Sequence, residues 1–599
     1  MKANTQHWLL SLMKSWGGFF TPYRSWLGEL KHPATIKADL VAGLTVATIA
    51  IPQAMAYAQL AGLPAYIGLY ASFLPVMAAA LFGSSRQLST GPVALASLMS
   101  ATAIQPYASL GMEVMMTYAA LLALMIGVFR LSLGLLRLGV VVDFLSNPVV
   151  IGFTNAAALI IATSQVPKLL GLDIKADQFD HYYEYLWTVA TSVGNAHGAT
   201  LIMSGAALYC LFILKRYAPM LPGILITVTL TTVIAWLVHY DAIGGAVLGA
   251  IPKGLPSFNF PAIEFNFSHL SALMVSAIVI GLMGLVEAIS ISKAIASQTR
   301  QPWSVNQELV GQGMANITAG LFQGYVVSGS FSRSAVNFSS GAVTGFASIV
   351  TGCLVAITLL FLTDLLYYLP QATLGAVIIM AVLNLLAVNP IKRAWKVERH
   401  DGVAAIVTFV ATLMFAPHLE IGILTGIILS IGLFLYRTMR PNFVELARDQ
   451  EDGILRDAEL HGLPTSDTVA IYGFDGDLYF ANAGYLEGKL FNTMASKPAL
   501  KVVILDMEGV GQIDATGENM LEKVVDRLST KGTYLYFARS KAQVYNAMER
   551  SGLVARIGKQ HFFKERKDAL QYAQQMFGDA IDITPLQLPE LKRIRGMHG

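Results

Sequence analysis

Between residues 38 and 437 the chain is a succession of apolar segments separated by polar turns. They fall at about 38–58, 64–82, 91–107, 113–136, 140–164, 198–214 and 221–239. A second series falls at about 267–290, 309–323, 330–339, 342–368, 372–388, 402–416 and 418–437. In hydrocarbon such segments must satisfy their backbone polar groups internally, so they are restricted to helices. Only 13% of the residues are charged, against roughly 25% in soluble domains, so the chain is not a wholly soluble protein. The two cysteines, Cys210 and Cys353, lie in apolar spans and predict neither a disulfide framework nor a metal site. No glycine-rich phosphate loop with lysine occurs, so nucleotide-driven chemistry is not expected.

Two segments are too short or too polar to span alone. One is entered through Gly324-Tyr-Val-Val-Ser-Gly-Ser-Phe-Ser-Arg-Ser-Ala-Val-Asn337, which carries Arg333. A charge at the centre of a bilayer costs about 2.5–3.5 kcal/mol on insertion scales, and irregular backbone at that depth needs protein or a water-filled cavity around it. Glycine followed by hydroxyl residues is a helix start whose free N–H groups suit an anion. The other segment is entered through Leu88-Ser-Thr-Gly-Pro-Val-Ala94, at the matching place in the first series. Pro148 and Pro370 open the fifth segment of each series. Seven segments per series is an odd number, which turns the two halves upside down relative to each other. Paired interruptions in inverted halves point to a substrate site at the midplane.

Basic residues locate the two sides. Arg86, Arg137, Lys215-Arg216, Lys293 with Arg300, Lys392-Arg393 through Arg399, and Arg437 with Arg440 fall on one side when about fourteen segments alternate and both termini lie inside. Asp173, Asp177 and Asp180 fall on the other. The N-terminus, with Trp8, Trp16 and Lys14, lacks a continuous apolar core and cleavage site, and reads as an amphipathic segment on the membrane. The expected division is a cytoplasmic segment 1–37, a transport domain 38–440, a polar linker 441–463, a soluble domain 464–576 and an irregular tail 577–599. In the soluble part Val469–Tyr472, Leu478–Phe480, Lys501–Asp506 and Tyr534–Phe537 read as strands, alternating with helices near 483–494, from Asp514 to about Leu528, and near 541–551. That alternation is a small α/β domain.

Several motifs, in order along nearly the whole chain, resemble the SulP family of anion transporters, relatives of the animal carriers prestin and pendrin. They are Ala50-Ile-Pro-Gln-Ala-Met-Ala-Tyr57, Gly62-Leu-Pro-Ala-Tyr-Ile-Gly68, Ser89-Thr-Gly-Pro92, Glu287-Ala-Ile-Ser-Ile-Ser-Lys293, Asn306-Gln-Glu-Leu-Val-Gly311 and Ser328-Gly-Ser-Phe-Ser-Arg-Ser334. The soluble part resembles the STAS domain of those transporters. The resemblance implies an α-helical polytopic fold of two inverted seven-segment repeats, split into core and gate domains, with a cytoplasmic α/β STAS domain. It also implies a homodimer, elevator-like movement and a place in the bacterial inner membrane.

Gln53 and Tyr57 share a helix face, and in the resembled family the matching positions contact substrate. Ser330, Phe331, Ser332 and Arg333 match the second half-helix, whose N–H groups and guanidinium suit a tetrahedral oxyanion. Val93 and Ala94 match the facing half-helix and offer backbone N–H groups, or simply close packing. Glu287 is the carboxylate deep in the eighth segment. Intramembrane acids are functional candidates, and the resemblance links this one to proton or sodium coupling; a fixed Glu287–Arg333 pair is the alternative. In the STAS-like part, Ala515 stands where regulatory relatives carry the phosphorylated serine, which leaves Thr516 as the remaining hydroxyl and favours a capping role for Asp514. The expectation is a non-enzymatic secondary transporter without cofactor that takes up sulfate with protons, with no role in nucleic-acid binding and with a cytoplasmic partner for its STAS domain. The alternatives are sodium-coupled bicarbonate or C4-dicarboxylate symport, a passive anion channel, and a membrane-tethered STAS regulatory module with vestigial transport.

Overall fold

A computed structural model of the chain describes residues 20–144, 146–174, 179, 181–218, 221–261 and 267–587. The amphipathic reading of Trp8 and Trp16, the acidic residues Asp177 and Asp180, and residues 588–599 of the expected tail lie outside the described residues. The chain divides into two compact units, Met1–Ser430 and Ile431–Gly599. Among the described residues, eight helices are long and apolar enough to cross a membrane.

The first series opens with α1 (Pro33–Leu60), which has proline at its start and continues unbroken through Pro52. The second segment breaks at Ser72 and Phe73 into α2 (Ala65–Ala71) and α3 (Leu74–Phe82). A two-residue strand, β1 (Thr90–Gly91), precedes the short α4 (Ala94–Ile104). Then come α5 (Met112–Leu135), α6 (Asn147–Ser164), α7 (Gly198–Tyr217) and α8 (Gly223–Leu237). The second series repeats the plan. It contains α9 (Phe267–Thr299), α10 (Val305–Leu321), β2 (Ser328–Gly329), the nine-residue α11 (Phe331–Ser339) and α12 (Phe346–Ile357), whose coil extends to Leu366. It ends with α13 (Gln371–Val382), the basic α14 (Val388–Val397), α15 (Arg399–Met414) and α16 (Leu419–Met439).

Small residues let the helices of the first unit approach closely, as expected where dispersion rather than water drives helix association. A Cβ on Gly127 would lie 2.5 Å from Ile317 N, and one on Gly313 would lie 2.6 Å from Leu131 N, so α5 and α10 touch backbone to backbone. Gly43 sets α1 against α12 in the same way, 2.5 Å from Ala347 O. Asp39, fully buried on α1, accepts from Val343 N (2.7 Å) and Thr344 N (3.1 Å) and fixes the turn before α12. Helices α1–α5 and α9–α12 thereby form one bundle, while α6 packs on α15, and α7 on α8 and α13, to form another.

The second unit holds a six-stranded sheet in the order β4-β3-β5-β6-β7-β8. Strands β5 (Val469–Asp475), β6 (Val502–Asp506), β7 (Tyr534–Ala538) and β8 (Phe562–Phe563) are parallel. The stretch 441–463, expected as a linker, instead carries β3 (Asn442–Arg448), antiparallel to β5, and β4 (Leu455–Asp457), antiparallel to β3 at the edge of the sheet. Its charges misled because an edge hairpin needs only one buried face. Leu478–Phe480 is not a strand: Leu478 makes one isolated bridge to Ile513, and the chain turns there. The helices α17 (Ala483–Ser496), α18 (Ala515–Ser529) and α19 (Ala542–Ser551) cover one face of the sheet, and α20 (Arg566–Phe577) covers the other. Burial on both faces explains the unbroken apolar run of β6, since Val503 and Leu505 enter one core and Val502 and Ile504 the other. Asp514 caps α18, its Oδ1 accepting from Gly517 N at 2.8 Å, while its Oδ2 accepts from Phe480 N at 2.9 Å.

Candidate functional site

The two interruptions meet. β1 pairs antiparallel with β2, Thr90 opposite Gly329 and Gly91 opposite Ser328. Because the strands run in opposite directions, α4 and α11 leave this ribbon from opposite ends, each with its N-terminus beside it. Further bonds hold the pairing: Ser330 N donates to Ser89 O (2.9 Å), Ser89 N to Ser334 Oγ (2.8 Å) and Asn337 Nδ2 to Gln87 O (3.0 Å). Val93 caps α4 without a side-chain acceptor, so the first N–H groups of α4 have no helical partner and carry the positive end of its dipole. Ser330 caps α11 and accepts from Arg333 N.

Arg333 is 1% exposed, and its Nη1 donates to Pro92 O at 2.9 Å, so the guanidinium crosses from one half-helix to the entry of the other. Among the described residues its Nη2 has no hydrogen-bond partner. Gly91 makes room for it: a Cβ there would lie 3.0 Å from that nitrogen.

Of the expected residues, Val93, Ala94, Ser330 and Arg333 are buried around the ribbon. Gln53 and Tyr57 are buried on α1, which packs on α4 and α11, and Gln53 Oε1 has no hydrogen-bond partner among the described residues. Phe331 and Ser332 are exposed, Phe331 by 64%. Glu287 is half-buried on α9, one residue from Ala288, which lies against Gly329. Among the described residues Glu287 makes no ion pair with Arg333, whose donor goes to a backbone carbonyl instead.

A second buried arginine stands behind the ribbon. Arg130, on α5 and fully buried, donates from Nε to Gly281 O (3.1 Å), from Nη1 to Val327 O (3.1 Å) and from Nη2 to Ile280 O (3.3 Å). Asn316 grips the same Val327 on both sides, accepting from its N (3.0 Å) and donating to its O (2.9 Å). Gln312, one turn earlier on α10, donates to Thr90 Oγ1 at 2.8 Å, and Tyr325 shares a 2.9 Å hydrogen bond with Ser97 of α4. Sequence reasoning missed these residues. A lone arginine inside the apolar stretch 113–136 was signal enough for Arg130, and Gln312 and Asn316 are polar residues one turn apart in another apolar segment.

Two bundles of apolar helices, with a pair of broken helices brought N-terminus to N-terminus inside one of them, define a polytopic membrane transporter carrying a separate α/β domain. The chain belongs to the sulfate permease family, whose model matches residues 36–408, and the STAS domain model matches residues 463–569. It is 34% identical over 583 residues to Sulfate transporter 4.1, chloroplastic, of Arabidopsis thaliana, covering 94% of this chain and 83% of that protein. It is 32% identical over 540 residues to Probable sulfate transporter Rv1739c of Mycobacterium tuberculosis, covering 90% and 95%. Among solved structures it is similar to the murine Solute Carrier 26 family member A9 anion transporter in the inward-facing state, with a TM-score of 0.84, 26% identity and 94% of this chain covered.

Proposed function

We propose that the protein takes up sulfate by proton symport. The observation that carries this reading is the β1–β2 ribbon, which turns two uncapped or serine-capped helix starts toward one place and sets the buried Arg333 beside them. Helix N-termini and a guanidinium together favour a small oxyanion. Val93, Ala94, Ser330, Phe331 and Ser332 offer backbone and hydroxyl donors, and Gln53 and Tyr57 close the site from α1. The sulfate transporters among the relatives support the choice of oxyanion.

Glu287 is the proton carrier in this reading. Protonated, it leaves Arg333 free to serve the anion; ionised, it competes for the guanidinium and expels the anion. The bundle of α1–α5 and α9–α12 carries the anion past the other bundle in an elevator movement. The protein works as a homodimer in the inner membrane with both termini in the cytoplasm, where the STAS domain meets its partner. A sodium-coupled variant, with bicarbonate or a C4-dicarboxylate as substrate, is the second reading; it draws on the buried Ser292 Oγ on the helix of Glu287, which has no hydrogen-bond partner among the described residues.

The test is uptake by purified protein in proteoliposomes against a panel of anions, at varied external pH and sodium. Concentrative sulfate uptake that rises with the proton gradient is expected, and Glu287→Gln should leave exchange but abolish pH-driven accumulation. Accumulation by Glu287→Gln with the pH dependence of the unmodified protein removes the proton role. Uptake that follows sodium instead selects the second reading.

A further inference from the structure

We propose that Arg130 is the second fixed positive charge of the substrate site and sets the valence of the anion it accepts. The inference deepens the reading of an anion site coupled to Glu287 and rests on it. Two guanidiniums are buried in this bundle, Arg130 at 0% and Arg333 at 1% exposure. Neither is neutralised by an adjacent carboxylate among the described residues: Arg130 donates to three backbone carbonyls and Arg333 to one. Carbonyl oxygens satisfy hydrogen-bond geometry and leave the formal charge in place, and an uncompensated charge in a low-dielectric interior is costly. Glu287 lies three residues along α9 from Gly284, where a Cβ would stand against Arg130 Nη2, and next to Ala288, which lies against Gly329 of the ribbon.

The charge count then discriminates between anions. With Glu287 protonated, two positive charges act on the site, Arg333 beside it and Arg130 by its field from behind the ribbon, and a dianion balances them. With one guanidinium, a monoanion balances the site and a dianion leaves an excess negative charge. Arg130 acts through the backbone it holds as well as through its field. Its Nη1 sits on Val327 O, one residue before β2, and a Cβ at Gly284 would lie 2.2 Å from its Nη2, so α9 is shaped around this side chain. Arg130 is therefore a specificity residue set behind the ribbon.

The test compares wild type, Arg130→Gln and Arg130→Lys in proteoliposomes, reading initial uptake of sulfate and of nitrate for each. In wild type sulfate is preferred. Arg130→Gln should lower the sulfate-to-nitrate ratio by about tenfold or more, with nitrate uptake retained. Arg130→Lys keeps the charge without the three-way geometry, so it should keep the wild-type ratio even where total uptake falls. Equal loss of both anions in Arg130→Gln, or a ratio in Arg130→Lys as low as that of Arg130→Gln, would mean a purely structural role and overturn the proposal. If Arg130→Gln does not fold, the lysine variant decides alone: a preserved ratio upholds the proposal and a collapsed one overturns it. A wild-type protein that moves no anion would fail the functional reading itself, an outcome distinct from an unchanged ratio in a working Arg130→Gln variant.

Discussion

Replacing Gly91 by alanine adds one methyl group and no charge, yet it should weaken the proposed anion site. The new Cβ would stand 3.0 Å from Arg333 Nη2 and 3.6 Å from its Cζ, with Ser72 Oγ at 3.8 Å. Ordinary contact between carbon and nitrogen needs about 3.4 Å or more, so the guanidinium must retreat by roughly 0.4 Å. The neighbouring Nη1 bond to Pro92 O starts at 2.9 Å. The same displacement takes it past the ordinary range for an N–H donor, which ends near 3.2 Å. A hydrogen bond to a charged group is worth about 1.5–3 kcal/mol. Losing about half of it, some 1 kcal/mol, corresponds to a roughly fivefold weaker anion affinity. The assay is substrate-dependent uptake in proteoliposomes, together with a thermal melt of the purified protein. An increase of about fivefold in KM is expected, with a somewhat lower melt because Gly91 holds a φ of +157° that alanine adopts only with strain. Gly205→Ala, where an added Cβ meets nothing within 4 Å, serves as the silent control. A Gly91→Ala protein that folds normally and keeps the wild-type KM would refute the assignment of Arg333 to the site.

Two further perturbations probe how each unit is held together. Asp506 is 4% exposed at the end of β6 and receives Arg539 Nε at 3.0 Å and Arg566 Nε at 2.7 Å; Asp506→Asn should lower the stability of the soluble unit by about 3 kcal/mol, seen as earlier cleavage in urea-dependent proteolysis of the full chain, whereas an unchanged midpoint would show the cluster to be ornamental. Asp39→Asn should cost about 1–3 kcal/mol by replacing a carboxylate that accepts from Val343 N, Thr344 N and Thr344 Oγ1, and a melt equal to that of the unmodified protein would exclude the lock between α1 and α12.

Most of the helical layout was legible. The short segments expected at 91–107 and 330–339 are the helices Ala94–Ile104 and Phe331–Ser339, because glycine, proline and hydroxyl residues leave few ways to enter a helix inside an apolar chain. Asp514 was recognisable as a cap for the same local reason. The edge hairpin at Asn442–Asp457 was not, since its pairing with Val469–Asp475 is decided by a partner strand rather than by its own polar composition.

What the sequence determined by itself is whatever depends on neighbours along the chain: apolar length, helix starts, the interrupted segments and the isolated charge of Glu287. Only the tertiary structure decided that Thr90 lies opposite Gly329, that Arg333 reaches Pro92 rather than Glu287, and that Arg130 stands behind the ribbon on three carbonyls. Those contacts join residues roughly 150 to 240 positions apart. No local propensity encodes them; they follow from packing glycine-bearing helices closely enough that buried donors reach acceptors on distant segments of the chain.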